Sequence, residues 1–286
     1  MKHIFLNLKR FDVPAEEGGV NRLSSIAGWG RAVVEGIQDG IEAYGKDTEF
    51  AVFFPEAHIL TATEARKPGS RLILGCQSVY REDILPGGNF GAFTSNRPAA
   101  AALALGADYT IIGHCEERND KMGLLAGGGL TGDTAKEAVN RVLNQEILCA
   151  LKRGMKVLYC IGEKSEEQER WEEVLGQQLE LGLSGISPSD RAGVTIAYEP
   201  IWSIGPGKIP ADAAYIQKIA RFVKEKTKGL DLVYGGGLKT DNARMLAAIP
   251  EIDGGLIALT RFSGEIGFYP REYLEIVRLY LGGEDQ

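Results

Sequence analysis

Short runs of apolar residues alternate along this chain with stretches whose apolar positions recur at helical spacing. The runs predict strands at 3–8, 49–54, 71–75, 109–113, 156–160, 194–198, 231–234 and 255–259. The amphipathic stretches predict helices at 23–44, 98–105, 134–152, 166–183, 212–228, 241–248 and 270–281. Strands that alternate with helices imply a parallel sheet with helical crossovers, an α/β fold. Eight units predict closure into one (β/α)8 barrel that takes up residues 1–286 as a single catalytic domain. A doubly wound open sheet would want Gly-x-Gly-x-x-Gly after the first strand, and Asn7-Leu8-Lys9-Arg10 stands there instead. Pro86-Gly87-Gly88 and Gly127-Gly128-Gly129 read as loop insertions within the domain.

Composition narrows the partners. With 44% apolar residues, the 286-residue chain can fill a core. A net charge of −7 disfavours nucleic acid, while an anionic small substrate stays possible because a site's field is local. Cys76, Cys115, Cys149 and Cys160 form no Cys-x-x-Cys pair. Cys76, Cys149 and Cys160 lie in apolar runs and are expected to be buried, reduced thiols, which suits a cytoplasmic protein. Ile4-Phe5-Leu6 is too short for a secretory leader, and no apolar run approaches membrane-spanning length, so no membrane partner is expected.

In such a barrel the chemistry sits at strand C-termini. The first strand delivers Asn7 and Lys9, the fourth His114, the sixth Glu199, the seventh Tyr234-Gly235-Gly236-Gly237, and the eighth the segment 258–264. Taken singly, each has a plain structural explanation. Asn7 suits a strand-end hydrogen-bonder, Lys9 a rim lysine, and Gly-Gly-Gly an ordinary turn. His114 is followed by Cys-Glu-Glu-Arg, a sequence able to open a helical turn whose N–H dipoles would favour a neutral imidazole. A glycine turn after a strand, with a helix expected near Thr240-Asp241, offers N–H groups to an anion. His3 and His58 read as structural or surface residues.

The run Ala197-Tyr198-Glu199-Pro200-Ile201-Trp202-Ser203-Ile204-Gly205-Pro206-Gly207-Lys208 resembles the base and closing loop of triosephosphate isomerases, and Gly113-His114-Cys115-Glu116 resembles their electrophile segment. The resemblance spans nearly the whole chain, through Asn7-x-Lys9, Gly75-Cys76-Gln77-Ser78-Val79-Tyr80, Gly91-Ala92-Phe93-Thr94, Cys160-Ile161-Gly162-Glu163-Lys164 and Asp253-Gly254. It implies the TIM barrel and a cofactor-free, metal-free proton transfer between dihydroxyacetone phosphate and glyceraldehyde 3-phosphate. Glu199 would be the base, His114 the electrophile, Lys9 the charge stabiliser, Asn7 a positioning group, and Glu116 a supporting carboxylate beside them. Trp202, Pro206 and Lys208 would belong to the lid, and Gly205, Gly236 and Gly237 would hold the phosphate.

The sequence departs from that pattern on the phosphate side. Ala258 and Leu259 stand where the family has two glycines, Gly237 replaces a serine, Cys115 a serine and Glu117 an arginine. Arg261 is the candidate to compensate as a guanidinium fork on the phosphate. These changes keep open an isomerase of a four-carbon ketose phosphate and a non-catalytic sugar-phosphate-binding barrel. A Schiff-base aldolase would need a desolvated Lys9, contrary to the expected neighbours Asn7 and Glu116. The third loop, which plugs into a neighbouring subunit in the family, is longer here at 81–90, with Ser78 for an asparagine and Asn96 for a glutamate. A homodimer with a rebuilt interface is expected, and 119–132 is longer than usual.

Overall fold

The computed structural model describes residues 1–205 and 208–282. Its strands are β1 (Lys2–Asn7), β2 (Thr48–Phe54), β3 (Leu72–Gln77), β4 (Tyr109–Ile112), β5 (Lys156–Ile161), β6 (Val194–Tyr198), β7 (Leu232–Tyr234) and β8 (Gly254–Ile257). Neighbours in the chain are neighbours in the sheet, every pairing is parallel, and β8 pairs with β1. The expected closed barrel is therefore present, with the strands within two residues of their expected limits. At the eighth strand the difference matters: β8 stops at Ile257, so Ala258 and Leu259 lie in the loop beyond it.

Period-two alternation explains why these runs are apolar on both faces. Phe5, Ala51, Phe53, Tyr109, Ile111, Leu158, Cys160, Ala197, Val233 and Leu256 form one buried cluster, the filling of the barrel. The alternate positions, such as Ile4, Leu6, Val52, Leu74, Tyr159 and Ile196, belong to a second cluster shared with the helices. Gly75 makes room for Phe53, since a Cβ there would lie 2.6 Å from the ring.

The surrounding helices are α1 (Trp29–Ile37), α2 (Glu56–Ala65), α3 (Ala99–Ala104), α4 (Cys115–Gly127), α5 (Gly132–Lys152), α6 (Trp171–Gly182), α7 (Ala213–Thr227), α8 (Ala243–Ala247) and α9 (Pro270–Leu281). Two were not expected. Helix α2 buries only His58, Ile59 and Ala62, a stripe too thin to read as amphipathic. Helix α4 buries no residue fully, so hydrophobic periodicity is silent there. It takes up much of 119–132, and Gly127 ends a helix rather than opening a loop insertion. Two expected helices are shorter by more than a turn: α1 and α6 are each preceded by 3-10 turns, at Ile26–Gly28 and Ser165–Arg170.

His3 and His58 are structural, and both are buried rather than on the surface. His3 bridges Glu49 and Asp231 at 3.1 and 2.8 Å on the N-terminal rim, and His58 meets Asp12 at 3.1 Å. The four cysteines are unpaired thiols. Cys149 corrects the expectation for its group: it is half-exposed on α5, and its Sγ donates to the Arg81 carbonyl. Among the described residues no helix is long and apolar enough to cross a membrane.

Candidate active site

Glu199 follows the last residue of β6, and Gly113-His114 follow β4. Parallel pairing of β4, β5 and β6 carries both to the C-terminal rim. Glu199 is only 2% exposed. Its Oε2 accepts the backbone N–H of Cys115 at 3.0 Å. Its Oε1 lies 3.0 Å from His114 Nε2 without forming a hydrogen bond to it, so this buried oxygen has no hydrogen-bond partner. Burial pushes the Glu199 carboxyl above the ordinary carboxylate range, against the pull of His114, the Cys115 N–H and Lys9. A desolvated carboxylate with one free oxygen is a stronger proton acceptor than a solvated one.

Glycines make the space. Gly162 and Gly235 press on this residue: a Cβ on Gly162 would sit 2.0 Å from the Glu199 carbonyl oxygen, and one on Gly235 2.8 Å from Glu199 Cγ. The glycine turn after β7 therefore abuts the carboxylate.

His114 is the N-cap of α4, and its Nδ1 accepts the N–H of Glu116 at 3.3 Å. An Nδ1 that accepts carries no proton, so in the neutral ring the proton is on Nε2, the nitrogen that faces Glu199. Arg118 and Glu117 hold the backbone of this turn, the first donating to the Gly113 carbonyl at 2.8 Å and the second accepting the Gly113 N–H at 2.6 Å. Donor atoms of His114, Cys115 and Glu199 lie within 4.8 Å of one another. Two features oppose a cation there. The imidazole's Nδ1 is taken by the helix, and burial beside Glu199 pushes the Cys115 thiol up to about 12.

Lys9 joins the same rim. Its Nζ meets Glu116 Oε1 at 2.6 Å, and Glu116 Oε2 lies 3.7 Å from His114 Nδ1. Lys9 has φ +40°, an unusual backbone for a side-chain-bearing residue. Asn7 holds it there: Asn7 Oδ1 accepts the Lys9 N–H at 3.0 Å. Gln77 completes the clamp, its Nε2 donating to Lys9 O at 3.0 Å and to Asn7 Oδ1 at 3.3 Å. Gln77 has no expected role from the sequence pattern. As the last residue of β3 it carries the same strand-end signal that marked Asn7 and His114.

With that geometry in view, comparison with known proteins is decisive. The family model described as Triosephosphate isomerase matches residues 28–268. The chain belongs to the triosephosphate isomerase family. It is 31% identical over 264 residues to the triosephosphate isomerase of Carboxydothermus hydrogenoformans, covering 88% of this chain and 90% of that one. Over 216 residues it is 32% identical to that of Geobacter metallireducens, covering 72% and 78%. The triosephosphate isomerase crystal structure from Bartonella henselae superposes with a TM-score of 0.69, at 22% identity, covering 98% of this chain and 99% of that one, which supports the fold. The chain is thus an intramolecular oxidoreductase of the aldose–ketose isomerase type, with triosephosphate isomerase-like function.

In this isomerase the segment expected to form the lid leaves β6 through Pro200 and a short turn, Ile201–Ser203. Trp202 Nε1 donates to Glu163 Oε1 at 2.7 Å, and the hydroxyls of Tyr198 and Tyr215 donate to the same oxygen at 2.8 and 3.1 Å. Glu163, another strand-end residue without an assigned role in the sequence reading, is buried, and burial pushes its carboxyl up. Beyond this anchor Gly205 and Lys208 are exposed, and Gly205 has φ +116°, a conformation for glycine. Pro206, the remaining lid residue, lies outside the described residues.

The phosphate side differs most from the sequence reading. Arg261 is not a free fork. Its Nε donates to Glu272 Oε1 at 2.8 Å, its Nη2 binds the same oxygen, and the guanidinium stacks 3.9 Å from the Tyr269 ring centroid. Ala258 and Leu259 are half-buried in the loop after β8. Gly236 and Gly237 lie in the turn after β7, next to Gly235, which abuts Glu199. The helix after them starts only at Ala243 and is five residues long, so it adds no anion site of its own.

Proposed function

We propose that Glu199 takes a carbon-bound proton from a triose phosphate and returns it to the neighbouring carbon, interconverting dihydroxyacetone phosphate and glyceraldehyde 3-phosphate through an enediolate. One observation carries this reading: the free, buried Glu199 Oε1 lies 3.0 Å from His114 Nε2. A substrate carbon and its oxygen are adjacent atoms, so base and hydrogen-bond donor must act about one bond apart, and this pair can. His114 Nε2–H would polarise the carbonyl and pass protons between the two oxygens, and Lys9 would stabilise the developing oxyanion, held in place by Asn7. Glu116 pairs with Lys9 and holds the ammonium beside His114. Closure of the segment from Trp202 to Lys208 would exclude water and keep the enediolate from losing phosphate. No cofactor enters these steps.

The half-buried Ala258 and Leu259 favour one second reading, a ketose phosphate of four carbons whose phosphate is seated differently. Turnover on triose and tetrose phosphates, measured side by side, tests both. A wide preference for triose removes the second reading, and no turnover on either removes the first. A barrel that only binds sugar phosphates would show no solvent exchange of the substrate's carbon-bound proton.

We further infer a homodimer and a cytoplasmic location. Four unpaired thiols suit a reducing compartment. The loop at 81–97 exposes Leu85 and Phe90, the latter 85% exposed. On the same face a cavity of about 490 Å³ is lined by Tyr80, Arg97, Glu117, Lys121, Leu124 and Glu146. An exposed apolar tip beside a concavity is the pair of features a two-fold contact brings together.

A further inference from the structure

We infer that Lys239, held between the loops after β7 and β8, is the cation that binds the substrate's phosphate in this isomerase, in the place that Arg261 cannot fill. The inference rests on the isomerase reading of the site and adds to it the charged ligand of the anion.

Three observations lead to it. First, the glycine turn is built for close approach but lacks charge. A Cβ on Gly236 would lie 2.3 Å from the Tyr234 hydroxyl, and Gly237 has φ +97°, so side chains are kept out of the turn. Among the described residues the N–H groups of Gly236 and Gly237 have no hydrogen-bond partner in the chain, whereas the Gly235 N–H is used by the Tyr198 carbonyl at 2.6 Å. Two unpaired amide donors near a buried carboxylate gain from a cation close by, because Glu199 repels an anion and Lys9 is paired with Glu116.

Second, the side chain that overlies the turn is Lys239. Its Cε lies 3.4 Å from where a Gly237 Cβ would be. Its ammonium sits 4.2 Å from the ring centroid of Phe262, a residue of the loop after β8. The cation therefore reaches from the loop that carries the turn to the loop after β8, and the half-exposed Phe262 ring holds it there without neutralising it.

Third, Lys239 has no carboxylate partner among the described residues, while Arg261 is bound to Glu272 and stacked on Tyr269. To reach a phosphate, Arg261 would have to leave both partners. Lys239 gives up only an aromatic face. A serine hydroxyl at 237 is absent from this chain, and the ammonium supplies the donor that position lacks.

The test is calorimetric titration of the full chain with inorganic phosphate at fixed ionic strength, together with steady-state kinetics on glyceraldehyde 3-phosphate. Lys239→Met is expected to weaken phosphate binding about tenfold or more and to raise KM by a similar factor, with a smaller change in kcat. Lys239→Arg is expected to keep most of the affinity, which separates loss of charge from loss of fold. The inference is overturned if Lys239→Met binds phosphate like the parent, or if Arg261→Met causes the loss instead. If Lys239→Met loses phosphate binding but the parent turns over no triose or tetrose phosphate, the anion site stands and the isomerase reading falls.

Discussion

Burial opposes the charge of Glu199, and in the proposed mechanism that opposition strengthens its carboxylate as a base. Shortening it by a methylene withdraws Oε1 from His114 by about an ångström, so Glu199→Asp should lose on the order of a hundredfold in kcat with KM little changed. Full turnover in that variant would remove Glu199 from the mechanism. The base works only when deprotonated, and its carboxyl is raised above the ordinary range. The acid limb of kcat/KM should therefore lie above the pH expected of a solvated glutamate, with activity lost as pH falls through the raised value. An acid limb at or below the ordinary glutamate range would contradict the desolvated environment. Single residues were partly legible in sequence: a polar residue just past an apolar run marked Asn7, Lys9, His114 and Glu199. The same rule applied evenly would have found Gln77 and Glu163. It could not show that Arg261 is neutralised, because Glu272 is on the next helix and only the return of the chain brings them together.

At the scale of an element, α4 ties the site to a buried charge cluster. Glu117, in the first turn of α4, accepts the Gly113 N–H, and Lys121 Nζ bridges Glu117 and Glu146 of α5 at 2.8 and 3.1 Å. Ser78 donates to Glu117 at 2.6 Å. Two carboxylates share one ammonium here. Burial and then the charge of Glu117 push Glu146 up to about 8, while Lys121 helps hold Glu117 below its usual range. The folded state thus keeps a proton on Glu146 that the unfolded chain gives up above about pH 4.3. The stability it contributes is complete below that value and is lost as pH rises toward 8. Glu146→Gln should leave the melting temperature near that of the parent at pH 5 and raise it at pH 8. An equal difference at both values would show that Glu146 does not titrate in this window. In the segment proposed to close over the substrate, Trp202→Phe removes a 2.7 Å bond to Glu163. Looser closure should raise the inorganic phosphate released per turnover, read by phosphate assay against product formed.

At the scale of the whole molecule, eight parallel strands place every strand-end loop on one rim, so residues as far apart in sequence as Lys9 and Glu199 share a site. The exposed loop 81–97 is expected to be covered in solution. Light scattering should give twice the chain mass, and Leu85→Asp with Phe90→Asp should give the monomer. A parent that scatters as a monomer at micromolar concentration would end the dimer inference. The sequence alone determined the barrel, because short continuous apolar runs and the helical spacing between them are properties of local chain order. It also determined which strand tips carry polar groups. Helix α4 escaped it, since that helix buries no residue fully and leaves no apolar stripe to read. Only the tertiary structure decided which charges are spent and which are free, for an ion pair depends on distance through space. Arg261 closes on Glu272 and Lys239 does not close on any carboxylate among the described residues, a difference that no spacing along the chain records.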